Sequence, residues 1–210
     1  MVFYMGIRLC RRGGIIIFEY IKIERTMCYG NCPVYSVVVD NEGNVIYNGE
    51  MFVYKSGQHH WKISKKKVEQ LNDLIDSFDF KSFKYEPGSG FITDQPSCIT
   101  TVKYTDGEIK EIDHYYGHIM IDDSLTAFEK KIERKIGTKK NVNPKLYIYQ
   151  IEEKIEGPSI TYIVISASEK EAIDLVEKDC TKEESPGGSV QKIGIATDDY
   201  YGPVIIMKSS

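Results

Sequence analysis

No stretch of the 210-residue chain holds the roughly 18 consecutive apolar residues that a transmembrane helix needs, so no membrane partner is expected. Cysteine is scarce, and five residues are too few to build a disulfide scaffold. An excess of basic residues is also lacking. The formal charge is -4, which argues against a protein built on nucleic-acid affinity. There is no G-x-S-x-G elbow, no P-loop, no G-x-G-x-x-G and no H-E-x-x-H. The nucleophile-elbow, nucleotide-loop and zincin routes to catalysis are therefore closed, and no cofactor is expected. What is present can fold. Apolar residues make up 41% and charged residues 28%, a globular composition able to bury a core.

Charge is unevenly divided. Residues 146–210 carry 12 acids and 6 bases, whereas residues 1–145 carry 19 acids and 21 bases. Such asymmetry marks two units. Two solvated surfaces explain it simply, and an electrostatic contact between the halves is the sharper alternative. Near the start, Arg8, Arg11 and Arg12 precede Ile15-Ile16-Ile17-Phe18. That apolar run is shorter than the roughly 7–15 residues of a secretory signal, so a cytoplasmic chain with a short leader over 1–14 is expected.

Periodicity divides the rest. Ile15–Phe18 leads into Glu19–Glu24, where Ile21 and Ile23 alternate with polar residues, a strand pattern. Val34–Val39 and Val45–Tyr47 flank the turn chemistry of Asn41-Glu42-Gly43-Asn44 and predict a hairpin. Met51–Tyr54 and His60–Ile63 suggest two further strands around Ser56-Gly57. A helix follows from Ser64, with Val68, Leu71, Leu74, Ile75 and Phe78 on one face. Lys65, Lys66 and Lys67 oppose the macrodipole at its start and read best as a solvated end. Residues 86–96 form a Pro- and Gly-rich loop. Cys98–Tyr104 and Glu108–Tyr115 form a hairpin around Asp106-Gly107, and a second helix opens at Asp122 and stops at Gly137. A domain boundary is placed in the polar segment Thr138–Lys145. Beyond it the order reads strand, strand, helix, strand, strand, the helix opening on a capping box, Ser168-Glu169-Lys170-Glu171.

The most singular stretch is Thr26-Met27-Cys28-Tyr29-Gly30-Asn31-Cys32-Pro33-Val34-Tyr35. Cysteines four positions apart can meet across a tight turn. Gly30 permits a positive φ there, and Pro33 stiffens the exit. Three chemistries are open. Redox dithiols gain thiolate stability from a helix N-terminus, but a strand pattern follows Cys32. Metal binding is the second. Over five residues the motif is similar to the copper site of Sco-type chaperones, in which it opens a helix. Zinc would need four ligands, and Cys98 and His114 are candidates to join the pair. The third is structural: a turn with buried thiols, or a disulfide in an oxidising setting.

Cys28-Tyr29-Gly30-x-Cys32-Pro33-x-Tyr35 also resembles the signature C-[FY]-G-x-C-P-x-Y of an uncharacterised bacterial domain family. The order continues through Gly43, Val45, Tyr47, Gly49, Gly57, Tyr85, the pair Asp94-x-Pro96, Leu125 and Ile132. The likeness covers residues 19–137. It implies strands, a helix, a hairpin and a closing helix, and it implies no activity. Many relatives look exported, which implies a setting where the cysteines oxidise.

Remaining candidates are local. Asp113-His114 are strand neighbours that face opposite ways. Asp198-Asp199-Tyr200-Tyr201 reads as a solvated acidic turn. Trp61, beside His59 and His60, marks a binding face or a packed core position.

The expected fold class is α+β in two small domains. Residues 15–137 form an antiparallel sheet with two helices, and residues 146–210 form a β-β-α-β-β unit. The expected function is a non-enzymatic binding or protein-interaction module with an unknown protein partner or self-association. Its surface would comprise Cys28, Gly30, Cys32, Pro33 and Tyr35, with Asp94, Pro96 and Trp61. The alternative is a thiol-redox or metal-binding protein using Cys28 and Cys32, with Cys98 and His114 as further ligand candidates.

Overall fold

A computed structural model describes residues 15–119, 122–153, 160–179, 189–196 and 203–209. The expected leader, Cys10, Cys180, the connection at Ser185–Gly188 and the acidic turn at Asp198–Tyr201 lie outside the described residues.

The fold class is α+β. Six antiparallel strands form the first sheet: β1 (Phe18–Arg25), β2 (Val34–Asp40), β3 (Asn44–Met51), β4 (Gly57–Lys62), β5 (Ser97–Tyr104) and β6 (Ile109–Tyr115). Their spatial order is β4-β3-β2-β1-β5-β6. Helices α1 (Lys65–Phe78) and α2 (Asp123–Ile136) cover one face. The inward residues of each strand, such as Ile21, Ile23, Val37, Val39, Val45 and Val102, meet Val68, Leu71 and Ile75 of α1 and Leu125, Phe128 and Ile132 of α2 in one core. Helix spacing explains the match: positions three and four apart share a face. Asp122 caps α2, its carboxylate accepting from Ser124 N–H at 2.9 Å and Leu125 N–H at 3.1 Å. Gly137 stops the helix at φ 89, in the left-handed region. Ser64 stands at the N-cap of α1 but makes no side-chain cap bond.

One expected strand is absent. Met51 ends β3, and Phe52–Tyr54 are irregular. Phe52 takes φ 53, and the chain then folds back so closely that a Cβ on Gly49 would lie 2.2 Å from the Lys55 carbonyl oxygen. The backbone N–H groups of Tyr54 and Lys55 donate instead to Val142 and Asn141, at 3.0 and 2.8 Å. The polar segment after Gly137 is correspondingly a packed connection. It holds a short helix, α3 (Lys139–Val142), and buries Thr138 and Asn141.

The second sheet has four antiparallel strands, β7 (Tyr147–Glu153), β8 (Ile160–Ser166), β9 (Ser189–Ile195) and β10 (Val204–Ser209), in the order β10-β8-β7-β9. Helix α4 (Glu169–Asp179) packs Ala172 and Val176 on Tyr149, Ile151, Tyr162 and Val164. Half of the expected capping box forms, with Glu171 N–H donating to Ser168 Oγ at 3.2 Å. The Glu171 carboxylate reaches one residue further, to Ala167 N–H at 3.1 Å, and accepts from the Tyr54 hydroxyl at 2.5 Å. Tyr54, Leu146 and Ile165 form a small apolar cluster joining the two sheets. Contact between the halves is thus partly polar, with Lys55 Nζ 4.0 Å from Glu171.

Candidate functional site

The site starts where β1 ends. Arg25 stands opposite Tyr35 of β2 and Cys98 of β5. Thr26 pins the exit. Its N–H donates to Ser97 O at 3.1 Å, and its Oγ1 accepts from Ser97 N–H at 2.7 Å. The chain then turns outward through residues 27–33, and Cys28 and Cys32 are joined as a disulfide with Cα atoms 5.7 Å apart. Both cysteines are half-buried, so the expectation of buried thiols does not describe this pair. Nor does Gly30 supply a positive φ. It lies outside the left-handed region, and a Cβ there would meet only Cys28 Sγ, at 3.9 Å. The sulfur bridge, rather than glycine's freedom, closes the turn.

A second loop backs the first. Asp94 adopts φ 63, a conformation Asp tolerates better than most residues, and its carbonyl accepts from Tyr29 N–H at 3.1 Å. Tyr115 ties this loop to β6, its hydroxyl donating to Ile92 O at 2.7 Å and accepting from Gln95 N–H at 3.2 Å. A Cβ on Gly117 would lie 2.3 Å from the same Ile92 carbonyl, so only glycine allows this approach.

Beneath the turn lies a cavity of about 300 Å³, lined by Cys32, Pro33, Pro96 and Val142 over a floor of Arg25, Tyr35, Tyr116 and Glu133. The floor is a continuous polar network. Arg25 holds Glu133 through two bonds, Nε and Nη2 each 2.9 Å from a carboxylate oxygen. The Tyr35 hydroxyl donates to Glu133, and Arg25 Nη1 donates to the Tyr116 hydroxyl. Tyr116 in turn donates to Glu129 at 2.6 Å, and Glu129 lies 3.0 Å from His114 Nδ1. Burial opposes the Arg25 charge, but its neighbours, Cys98 and then the Glu133 carboxylate, more than offset it and raise the guanidinium above its ordinary range. Burial, then the Glu133 charge, pushes the Tyr35 hydroxyl well above its ordinary range. The two carboxylates have their protein partners already. The cavity therefore offers an outside ligand mostly apolar wall and ring faces, with Lys130 as a further, exposed cation on its lining.

The sequence-predicted residues divide. Cys28, Gly30, Cys32, Pro33, Tyr35, Asp94 and Pro96 share this turn, its neighbouring loop and the cavity under them. Trp61 does not. It lines a different cleft, half-buried, its indole N–H donating to Ile136 O at 3.0 Å. Cys98 and His114 are cross-strand partners inside the core, Cys98 with its thiol pushed up by burial. His114 pairs with Glu129 rather than its neighbour Asp113. Among the described residues, no group of three or more His, Cys, Asp or Glu is arranged to hold a metal ion, and no helix is long and apolar enough to cross a membrane. Arg25, Tyr116, Glu129 and Glu133 were not singled out by sequence. One signal was there: Glu129 and Glu133 follow Leu125 by four and eight residues and so flank the apolar stripe of α2.

Fold and site together define an α+β domain whose antiparallel sheet is backed by two helices and carries a disulfide-closed turn. The chain belongs to the family described as a domain of unknown function, DUF6438, which it matches over residues 19–136. The match ends with α2, so the second sheet lies beyond it. No curated protein and no solved structure matches the chain.

Proposed function

We propose that this DUF6438 domain is a non-enzymatic protein-binding module whose contact surface is the Cys28–Cys32 turn with the adjoining loop of Asp94 and Pro96. One observation carries the reading. Met27 and Tyr29 are 64% and 92% exposed on a backbone that a disulfide and the Asp94 carbonyl hold in place. Large exposed apolar side chains on a fixed backbone bind with little ordering cost, and tyrosine combines an apolar ring with a polar tip. Phe91, Ile92 and Ile119 extend the apolar rim on the neighbouring loops, which bond each other through Ile92 N–H to Gly117 O at 2.7 Å. Introducing photoreactive benzoylphenylalanine at Tyr29 tests the surface. A partner should cross-link there and not at Ile206, an exposed residue of the second sheet. Equal labelling at both positions, or none at Tyr29, argues against it.

A second reading, thiol chemistry, rests on the disulfide itself. In the cytoplasm the pair would stand as thiols, and in an oxidising compartment as the bridge. Cys32 precedes a strand, so no helix dipole favours its thiolate. A glutathione titration separates the cases. A potential below about -300 mV marks a structural bridge, and one near -200 mV favours redox activity.

A further inference from the structure

A second cavity, of about 650 Å³, opens between β4, the α3 segment and the first turn of α4. Its walls carry Lys55, Lys140, Lys145 and Lys170 against two acids, Glu171 and Asp174. We propose that this cleft binds a small anion carrying two or more linked phosphates, held by these lysines.

The lysine excess persists when the one internal pair is set aside, leaving Lys140, Lys145 and Lys170 against Asp174. Glu171 is committed inside the protein, accepting from Ala167 N–H and the Tyr54 hydroxyl and standing 4.0 Å from Lys55. Among the described residues Lys140, Lys145 and Lys170 make no ion pair. Aromatic rings position two of them instead. Lys140 Nζ lies 4.4 Å from the Trp61 ring centroid, and Lys145 Nζ lies 5.6 Å from that of Tyr147. Partial burial, and then the like charges of Lys55 and Lys67, hold the Lys140 ammonium below the usual lysine range. An entering anion relieves that repulsion. Asn141, 4% exposed, also lines the cleft, and its Nδ2 donor has no hydrogen-bond partner. A buried amide N–H without an acceptor is costly, and a rotation of the Asn141 side chain toward the cleft would let a phosphate oxygen satisfy it. Ser168 and Lys170 bring the N-terminal end of α4, whose dipole also favours an anion, to the rim. Lysines act as mobile point charges, and several spread around one cleft suit a ligand with several phosphate oxygens better than a single carboxylate. The size lies within the range of small-molecule sites.

Trp61 is the chain's single tryptophan, so intrinsic fluorescence reports on this cleft directly. The full chain would be titrated with pyrophosphate, with ADP and with adenosine. Pyrophosphate and ADP should each give a saturable change that weakens with added salt, while adenosine gives none. A tighter response to ADP assigns the source to a nucleotide, and an equal one to the phosphates alone. Lys140→Ala with Lys145→Ala should weaken binding at least about tenfold while leaving the circular dichroism spectrum unchanged. Should that pair fail to fold, Lys170→Ala on the exposed start of α4 should weaken it severalfold. No saturable change with either phosphate, an equal response to adenosine, or affinity unaltered in the folded lysine variants would overturn the proposal. Variants at Tyr29 leave this cleft intact, so the two surfaces are tested separately.

Discussion

The disulfide turn and the lysine cleft deal with charge in opposite ways. At the turn, Arg25 is enclosed with Glu133 and Glu129, and the large side chains left exposed are Met27 and Tyr29. At the cleft, the acids are committed or outnumbered, and Lys140, Lys145 and Lys170 make no ion pair among the described residues. The difference follows from burial. Under the turn, β1 and α2 enclose the groups, so each charge needs a partner or the fold does not form. The cleft walls are α3, β4 and the start of α4, where water screens the lysines and like charges persist at small cost. Internal pairing leaves an apolar surface at the turn, and unpaired lysines leave a cationic one at the cleft.

The largest predicted effect breaks the first half of this contrast. Glu133→Ala strands Arg25 in the floor network and should cost about 3–5 kcal/mol by denaturant unfolding. The corresponding cleft change, Lys140→Ala, should stay within about 0.5 kcal/mol. Equal losses would mean that the two regions are not distinguished by burial. Tyr54→Phe comes next. It removes the hydroxyl shared between Glu171 and Ala167 and should destabilise by about 1–2 kcal/mol. Loss confined to the second sheet in hydrogen exchange would show that this joint serves that sheet more than the first.

A smaller effect sharpens the comparison from the α2 side. Hydrogen bonds from the Ser124 side chain, then from the Leu125 and Ser124 backbone N–H groups, hold Asp122 below the usual carboxylate range despite partial burial. Its contribution is therefore present above the unfolded value of about 4 and is lost as pH falls through the lower folded value. Asp122→Ala should cost about 1 kcal/mol at pH 7 and flatten that acid limb, read by unfolding at stepped pH.

Much of the scaffold was legible because its signals are local. The hairpins at Asn41–Asn44 and Asp106-Gly107 combine turn residues with period-two strands, and both helices combine an apolar stripe with a recognisable start or stop. The strand expected at Met51–Tyr54 failed because Tyr54 and Lys55 bond to Val142 and Asn141, partners more than 80 residues away. The same distance hid the packed character of Thr138–Lys145. The turn itself was visible as a motif, but its support was not. Arg25 and Glu133 are 108 residues apart, and nothing near either one announces the pair. Sequence alone leaves Trp61 as either interface or core, and its indole bond to Ile136 favours packing beside the cleft.

We place the proposed protein-binding surface on the disulfide turn and not on the Trp61 face. Affinity capture from native lysate, with protein identification, tests it when run in parallel on the wild-type chain, Tyr29→Ala and Trp61→Ala. The expected result is one specific partner retained by Trp61→Ala and lost from Tyr29→Ala, with both variants folded. A partner that survives Tyr29→Ala and disappears from Trp61→Ala would contradict it.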